Sequence, residues 1–560
     1  MEEKVSRENK FNFVEFLKKS WFYIVLFAIV MTAILVMMSD RDVKVSGDVD
    51  YENPVYYISG NNLYVKERGK DEVLISTTLF QDPDSRSNED ALSAALISPD
   101  GEYLYFYENI LIEDDNMTGD FCMFHDGRKK VIEEDTTIYF AVTESYDKVL
   151  YLSLQKGVEG GTGYEDIRYD LYTFDFKKGK ELVERSVMPF WYTISGDGET
   201  VAYVKNYDAA TDTYSLFINR DGEETFIDDH MFFYGEFVPN GTYRSNWPRI
   251  NEDGSKILYS RRMKFNEMTD MYLYSDGGTS LLGEDVLQIF TDEDLSTALI
   301  LDDYINEEFV GTMSRINLDT LDKTKISDDV WGLADVNVMR TLQKEFLNLN
   351  LYYKNYDEVI NVADLCMMTP EGEKVVINMT GVTDPLFAED GSAVYGLDYW
   401  VEEDGGQLIK VRLNPDNTFE KIKYDDFVKE FFIAESGAYV LYTVDDDLFY
   451  IGPEDEKVFV DRYDIETFGV LNGDEMLYFF RSAGLGSGNA FVRDLRKSAD
   501  VKMISEDTHF VWDFYDGNLA FMTGYDFAEK TGALYITDGK GKYELIAENV
   551  ELPLFYNIVP

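Results

Sequence analysis

Residues 97–107 read Ile-Ser-Pro-Asp-Gly-Glu-Tyr-Leu-Tyr-Phe-Tyr, and the same design returns along the chain. Residues 194–204 read Ile-Ser-Gly-Asp-Gly-Glu-Thr-Val-Ala-Tyr-Val, and 250–260 read Ile-Asn-Glu-Asp-Gly-Ser-Lys-Ile-Leu-Tyr-Ser. Weaker copies lie at 141–154, 290–301, 387–397, 433–444, 470–480 and 514–524. Each is a short strand, an acidic turn and an apolar strand of period two. Each unit then closes with a second hairpin, as in 122–132, 215–227 and 272–282. The Asp-Gly and Gly-rich steps in these hairpins supply the positive φ that a tight turn requires. Eleven such closing hairpins can be counted, the first over 62–75. A unit of this size suits one four-stranded sheet, too thin to bury both of its faces alone. The units must therefore stack and bury their Tyr, Phe, Leu and Val residues between them.

The turn Ser98-Pro99-Asp100-Gly101 followed by an apolar strand resembles the TolB-type repeat, also called the WD40-like PD40 repeat. Ser195–Gly198 and Asn251–Gly254 match in part, and the resemblance covers about residues 54–550. It implies an all-β fold, a β-propeller of four-stranded blades, and it says nothing about function. Eleven units exceed the usual blade number of one ring, so two tandem propellers are expected, over 54–328 and 329–560. Residues 338–347 break the pattern and predict a short helix at the junction. The first unit lacks an inner strand, which the stretch 552–559 is placed to supply, latching the chain ends together.

Ahead of the repeats, Trp21–Met38 carries no charge. Eighteen helical residues span about 27 Å, close to the hydrocarbon thickness of a bilayer. Lys4, Arg7, Lys10, Lys18 and Lys19 precede it, while only Arg41 and Lys44 follow closely. The positive-inside bias places residues 1–20 in the cytoplasm, 21–38 as a transmembrane signal-anchor helix, 39–53 as a linker, and the remainder outside. No small-residue cleavage site follows the apolar run, as a removable signal peptide would need. The expected location is the cell membrane, single-pass, with an extracytoplasmic ectodomain.

The chain holds 51 Lys and Arg against 107 Asp and Glu, a net charge of −56. Such a surface repels nucleic acid and anionic lipid. The two cysteines, Cys122 and Cys366, have no CxxC partner and read as buried free thiols.

In an A–B–C–D meander the A–B and C–D turns share one face, and the B–C and D–A connections share the other. The second face collects the longer segments 107–120, 155–168, 206–213, 302–312, 400–407 and 481–489, where binding is expected. Trp191, Trp247, Trp331 and Trp512 fall near the starts of inner strands, at the channel mouth on that face. They are the candidate binding residues, with inter-blade packing as the alternative. Asp114, Asn116 and Thr118 match the opening of an EF-hand loop, but His125 stands where the bidentate acid belongs. Calcium is thus a weak candidate, and no other cofactor is implied. The three histidines, His125, His230 and His509, come with no nucleophile motif, and Gly484–Gly488 is not G-x-S-x-G.

The sequence therefore predicts a non-catalytic module that binds or scaffolds a protein or peptide at the cell envelope. The alternative is a carbohydrate or cell-wall binder, with glycoside hydrolase chemistry as its extreme form.

Overall fold

The computed structural model describes residues 49–554 apart from 82–94, 155–168, 233–247, 334–350 and segments of five residues or fewer. The anchor 21–38, residues 1–20, the linker before 49, the expected helix 338–347 and Trp247 lie outside the described residues. Among the described residues no helix is long and apolar enough to cross a membrane.

The fold is all-β and of β-propeller type. Strands Ala95–Ile97, Tyr103–Glu113, Asn116–His125 and Arg128–Thr137 form a four-stranded antiparallel meander, in the order A–B–C–D. The same order recurs in Gln288–Thr291, Thr297–Ile305, Val310–Asn317 and Lys323–Val330. In two places the outer strand of one meander runs on as the inner strand of the next. Phe419–Ile433 pairs with Gly405–Leu413 and then with Val440–Val444, and Lys502–Phe514 behaves likewise.

The repeated turn works through its first residue. Ser98 Oγ accepts from the Tyr103 amide at 2.9 Å and donates to Asp100 at 2.6 Å, and the Gly101 amide bonds Ser98 O. Ser195 makes the same contacts with Thr200 and Asp197. Asn251 and Asp292 supply the equivalent acceptor to Lys256 and Thr297. Any short side chain with an oxygen at this position serves, which is why degenerate copies still fold alike. Each turn is also clasped from the preceding meander. Tyr56 Oη donates to Gly101 O at 3.0 Å, Lys148 to Gly198 O, Arg220 to Gly254 O at 2.5 Å, and Lys256 to Leu295 O at 2.8 Å.

Within several meanders aromatic rings pair across neighbouring strands. A B-strand ring stacks on a C-strand ring in Tyr57–Tyr64 (5.3 Å), Tyr151–Tyr172 (5.9 Å), Tyr203–Phe217 (6.2 Å) and Phe521–Tyr535 (5.4 Å). Cys122 and Cys366 are buried free thiols, and burial pushes the Cys122 thiol well up.

The chain ends meet as the sequence predicts. Leu552–Leu554 pairs antiparallel with Val55–Ser59 and supplies the fourth strand of the first sheet. Ser59 Oγ donates to Asn549 O, and the Gly60 amide donates to Glu551. Phe514, Met522, Leu534 and Ile546 share one core cluster with Val55, Tyr57, Leu104 and Tyr105. At the expected division near 328 packing is continuous, since Leu301, Met313, Val330, Leu333, Tyr352 and Cys366 form one cluster across it.

Candidate functional site

Of the segments expected as loops, 155–168 lies outside the described residues, and the others are extensions of the B and C strands. Residues 107–120 form a paired hairpin, with Tyr107 opposite Phe121 and Leu111 opposite Thr118. Residues 302–312 and 481–489 pair in the same way. Asn116 and Thr118 lie in a strand, opposite Glu113 and Leu111, while Asp114 lies outside the described residues.

Six of the described hairpins carry a bulge at one position of the B strand, whereas 481–489 pairs without a break. The register breaks after Glu108, Lys205, Asp302, Lys354, Asp398 and Thr523. The next residue has positive φ: Asn109, Asn206, Asp303, Asn355, Tyr399 and Gly524. D strands repeat the device near their ends, at Asp135, Ser186, Asp285, Asp329, Phe427, Asp507 and Asn549. A buried residue follows each one: Thr136, Val187, Val286, Val330, Val428, Thr508 and Val550. Asn, Asp and Gly tolerate this conformation, whereas a bulky side chain does so at a cost of order 1–3 kcal/mol.

At four of these six positions the B-strand residue before the bulge carries a charge matched from the D strand. Glu108 pairs with Lys129 at 2.7 Å and Asp398 with Lys421 at 2.6 Å; Asp302 pairs with Lys323. In 192–232 the signs are exchanged, with Lys205 held by Glu224 at 2.5 Å. Burial raises the Asp302 carboxyl above its ordinary value, and the facing Lys323 opposes that rise. These carboxylates are structural counter-ions rather than paired acids over a cleft.

Trp191, Trp331 and Trp512 stand at or near inner-strand starts, as expected. Trp191 meets Tyr214 edge-on at 4.2 Å, Trp331 meets Tyr353 at 6.0 Å, and Trp512 stacks on Phe510 at 5.5 Å. Each of these rings is half-buried against an aromatic of the same meander or of the strand it belongs to. His125 stacks on Tyr103 at 4.2 Å and bonds Glu102 O, a packing role. Asp228, Asp229 and His230 lie close together, but Asp228 already accepts from Tyr259 at 3.1 Å and from the His230 amide at 2.9 Å.

A cavity of about 470 Å³ opens near inner-strand starts, walled by Leu386, Leu397, Phe431, Phe432 and Phe468. Lys429, Glu430 and Glu466 stand at this cavity and are exposed. Tyr399 and Phe427 follow Leu397 and precede Lys429 by two residues, and are 51 % and 59 % exposed. Sequence reading passed over this groove, because its rings are Phe and Tyr rather than Trp. Aligning the repeats at their bulges would have exposed the two aromatic outliers.

No family model matches the chain, and no curated protein matches it. Among solved structures, the tricorn protease is 12 % identical over 87 % of this chain, with a TM-score of 0.26. The chain spans less than half of that protein, 48 %. A structure described as the eukaryotic initiation factor is 9 % identical, covering 90 % of this chain and 99 % of that one, with a TM-score of 0.38. The β-propeller domain of the Trilobed protease from Pyrococcus furiosus is 13 % identical, covering 64 % of this chain and 98 % of that one, with a TM-score of 0.24. Likenesses of this size carry no argument about what the chain does.

Proposed function

We propose that this chain is a membrane-anchored, extracytoplasmic, TolB-like propeller whose B–C hairpin face binds a protein or peptide, with no chemistry of its own. One observation carries the reading: the N-terminal residues join the opposite face. Asn518 donates to Asp50 O at 3.1 Å, Asn53 to Pro99 O at 3.3 Å, and Tyr51 meets Phe514 edge-on. All three partners flank A–B turns. The ten residues from 39 to 48 reach at most about 35 Å. A tether at Met38 therefore keeps the turn face toward the bilayer and leaves the hairpin face directed away.

We further infer one closed succession of eleven modules in place of two rings. Supporting it are the unbroken cluster across 328 and the pairing of the two chain ends. Selecting from a random peptide library on the full-length chain in detergent tests the binding role. Retained peptides are expected; retention of cell-wall glycan with no peptide would favour the carbohydrate alternative instead.

A further inference from the structure

We propose that the groove at 386–468 is a peptide site, and that its ligand is an extended segment of another protein alternating apolar and basic residues. The inference rests on the peptide-binding reading above and specifies its location and its chemistry.

Tyr399 and Phe427 are the starting observation. Their φ values are +52° and +62°, at bulge positions that other modules fill with Asn, Asp, Ser or Gly. A large ring there strains the backbone. Burial does not offset the strain, because both residues are exposed. Both outliers fall in one meander. The register sets Asp398 opposite Gln407 and Gly406 opposite Val428, so the two rings end the same sheet on the hairpin face. Gly405 lies tight against the strand that carries Phe427: a Cβ there would stand 2.5 Å from Val428 O. Strained, exposed and two residues along the chain from the cavity-lining Leu397 and Lys429, these rings suit a partner better than they suit the free fold.

The cavity sets what the partner carries. Its five apolar walls accept large side chains, and about 470 Å³ is of side-chain rather than domain scale. Among the described residues Leu386–Phe387 and Ile465–Leu471 are edge strands of their sheets, which gives an extended backbone an edge to lie along. On an extended chain alternate residues face opposite ways, one set into the groove and the other over its rim. At the rim Glu430 and Glu466 outnumber Lys429, in a chain of net charge −56. Lys or Arg would find carboxylates there and exposed ring faces beside them.

The test uses full-length chain in detergent and a fluorescein-labelled heptapeptide, Leu-Lys-Phe-Lys-Leu-Lys-Phe, read by fluorescence anisotropy. Its counterpart with Glu for Lys is the control. Tyr399→Asn and Phe427→Asn restore residue types that equivalent positions already hold, and change no charge. Each is expected to weaken the basic peptide at least tenfold while the melting temperature stays level or rises. Glu466→Gln is expected to weaken it severalfold, and the acidic peptide is expected not to bind. Equal binding by both Asn variants would overturn the groove while leaving a peptide site elsewhere intact. Equal binding of the acidic peptide would overturn the charge assignment, and no binding of the basic one would overturn the whole inference.

Discussion

The two faces of this molecule are built on opposite rules. On the turn face, one short oxygen-bearing residue, one Asp and one positive-φ residue recur, each turn clasped by a donor from the preceding meander. On the hairpin face the bulge recurs, but what it presents varies from Asn109 to Tyr399. Repetition marks where modules must hold one another. Variation marks where the surface is released from that duty, and Tyr399 and Phe427 show it carrying cost without structural return.

Substitutions should separate the faces by the size of their effect. Gly254→Val is expected to be the most damaging. Its φ is +67°, and a Cβ would stand 2.3 Å from Thr200 Oγ1 of the preceding meander. Strain plus overpacking should cost at least ~3 kcal/mol in thermal or denaturant unfolding. A loss below 1 kcal/mol would mean that the turn is not clasped. Ser195→Ala comes next. The side chain is fully buried and its removal orphans the Thr200 amide, for about 2 kcal/mol. On the other face, Tyr399→Asn should leave the fold about 1 kcal/mol more stable by relieving strain. A clear loss there would assign the ring a structural role.

The smallest effect concerns pH. Asp455, in the turn between Asp447–Ile451 and Lys457–Asp461, takes bonds from Tyr424 at 2.5 Å, Arg412 at 2.7 Å and Lys410 at 3.1 Å. These donors outweigh partial burial and hold its carboxyl at about 2, below the ordinary 3.8. Its contribution is therefore complete above about pH 4 and lost as pH falls toward 2. Asp455→Asn should flatten the acid limb of the stability profile in that window and leave neutral pH dependence unchanged. An unaltered acid limb would show that the clamp contributes nothing.

Much of this was legible in the residues. The Ser98–Gly101 turn discloses the repeat, and the alternation after it discloses the meander. The missing inner strand of the first sheet even points to Leu552–Leu554. What escaped is the bulge. Glu134-Asp135-Thr136, Glu284-Asp285-Val286 and Asp328-Asp329-Val330 hold no glycine to mark it. In the structure their second residue is left-handed and their third is buried. Part of the large negative charge thus answers a backbone requirement, since Asp tolerates that conformation where most residues do not. The groove escaped for another reason: it gathers residues from four strands far apart in sequence, and no spacing along the chain announces that convergence.

The central claim is that modules stack in unbroken succession until the chain's end closes on its beginning. The register sets Ile58 opposite Leu552, nearly five hundred residues away. Antiparallel partners lie about 4.5–5.5 Å apart at Cα, within disulfide reach. With Ile58→Cys and Leu552→Cys in the full-length chain under mild oxidant, mass spectrometry should find a 58–552 disulfide in the monomer, and none when Cys is placed at 65 instead of 58. Free thiols at both 58 and 552 would contradict the closure.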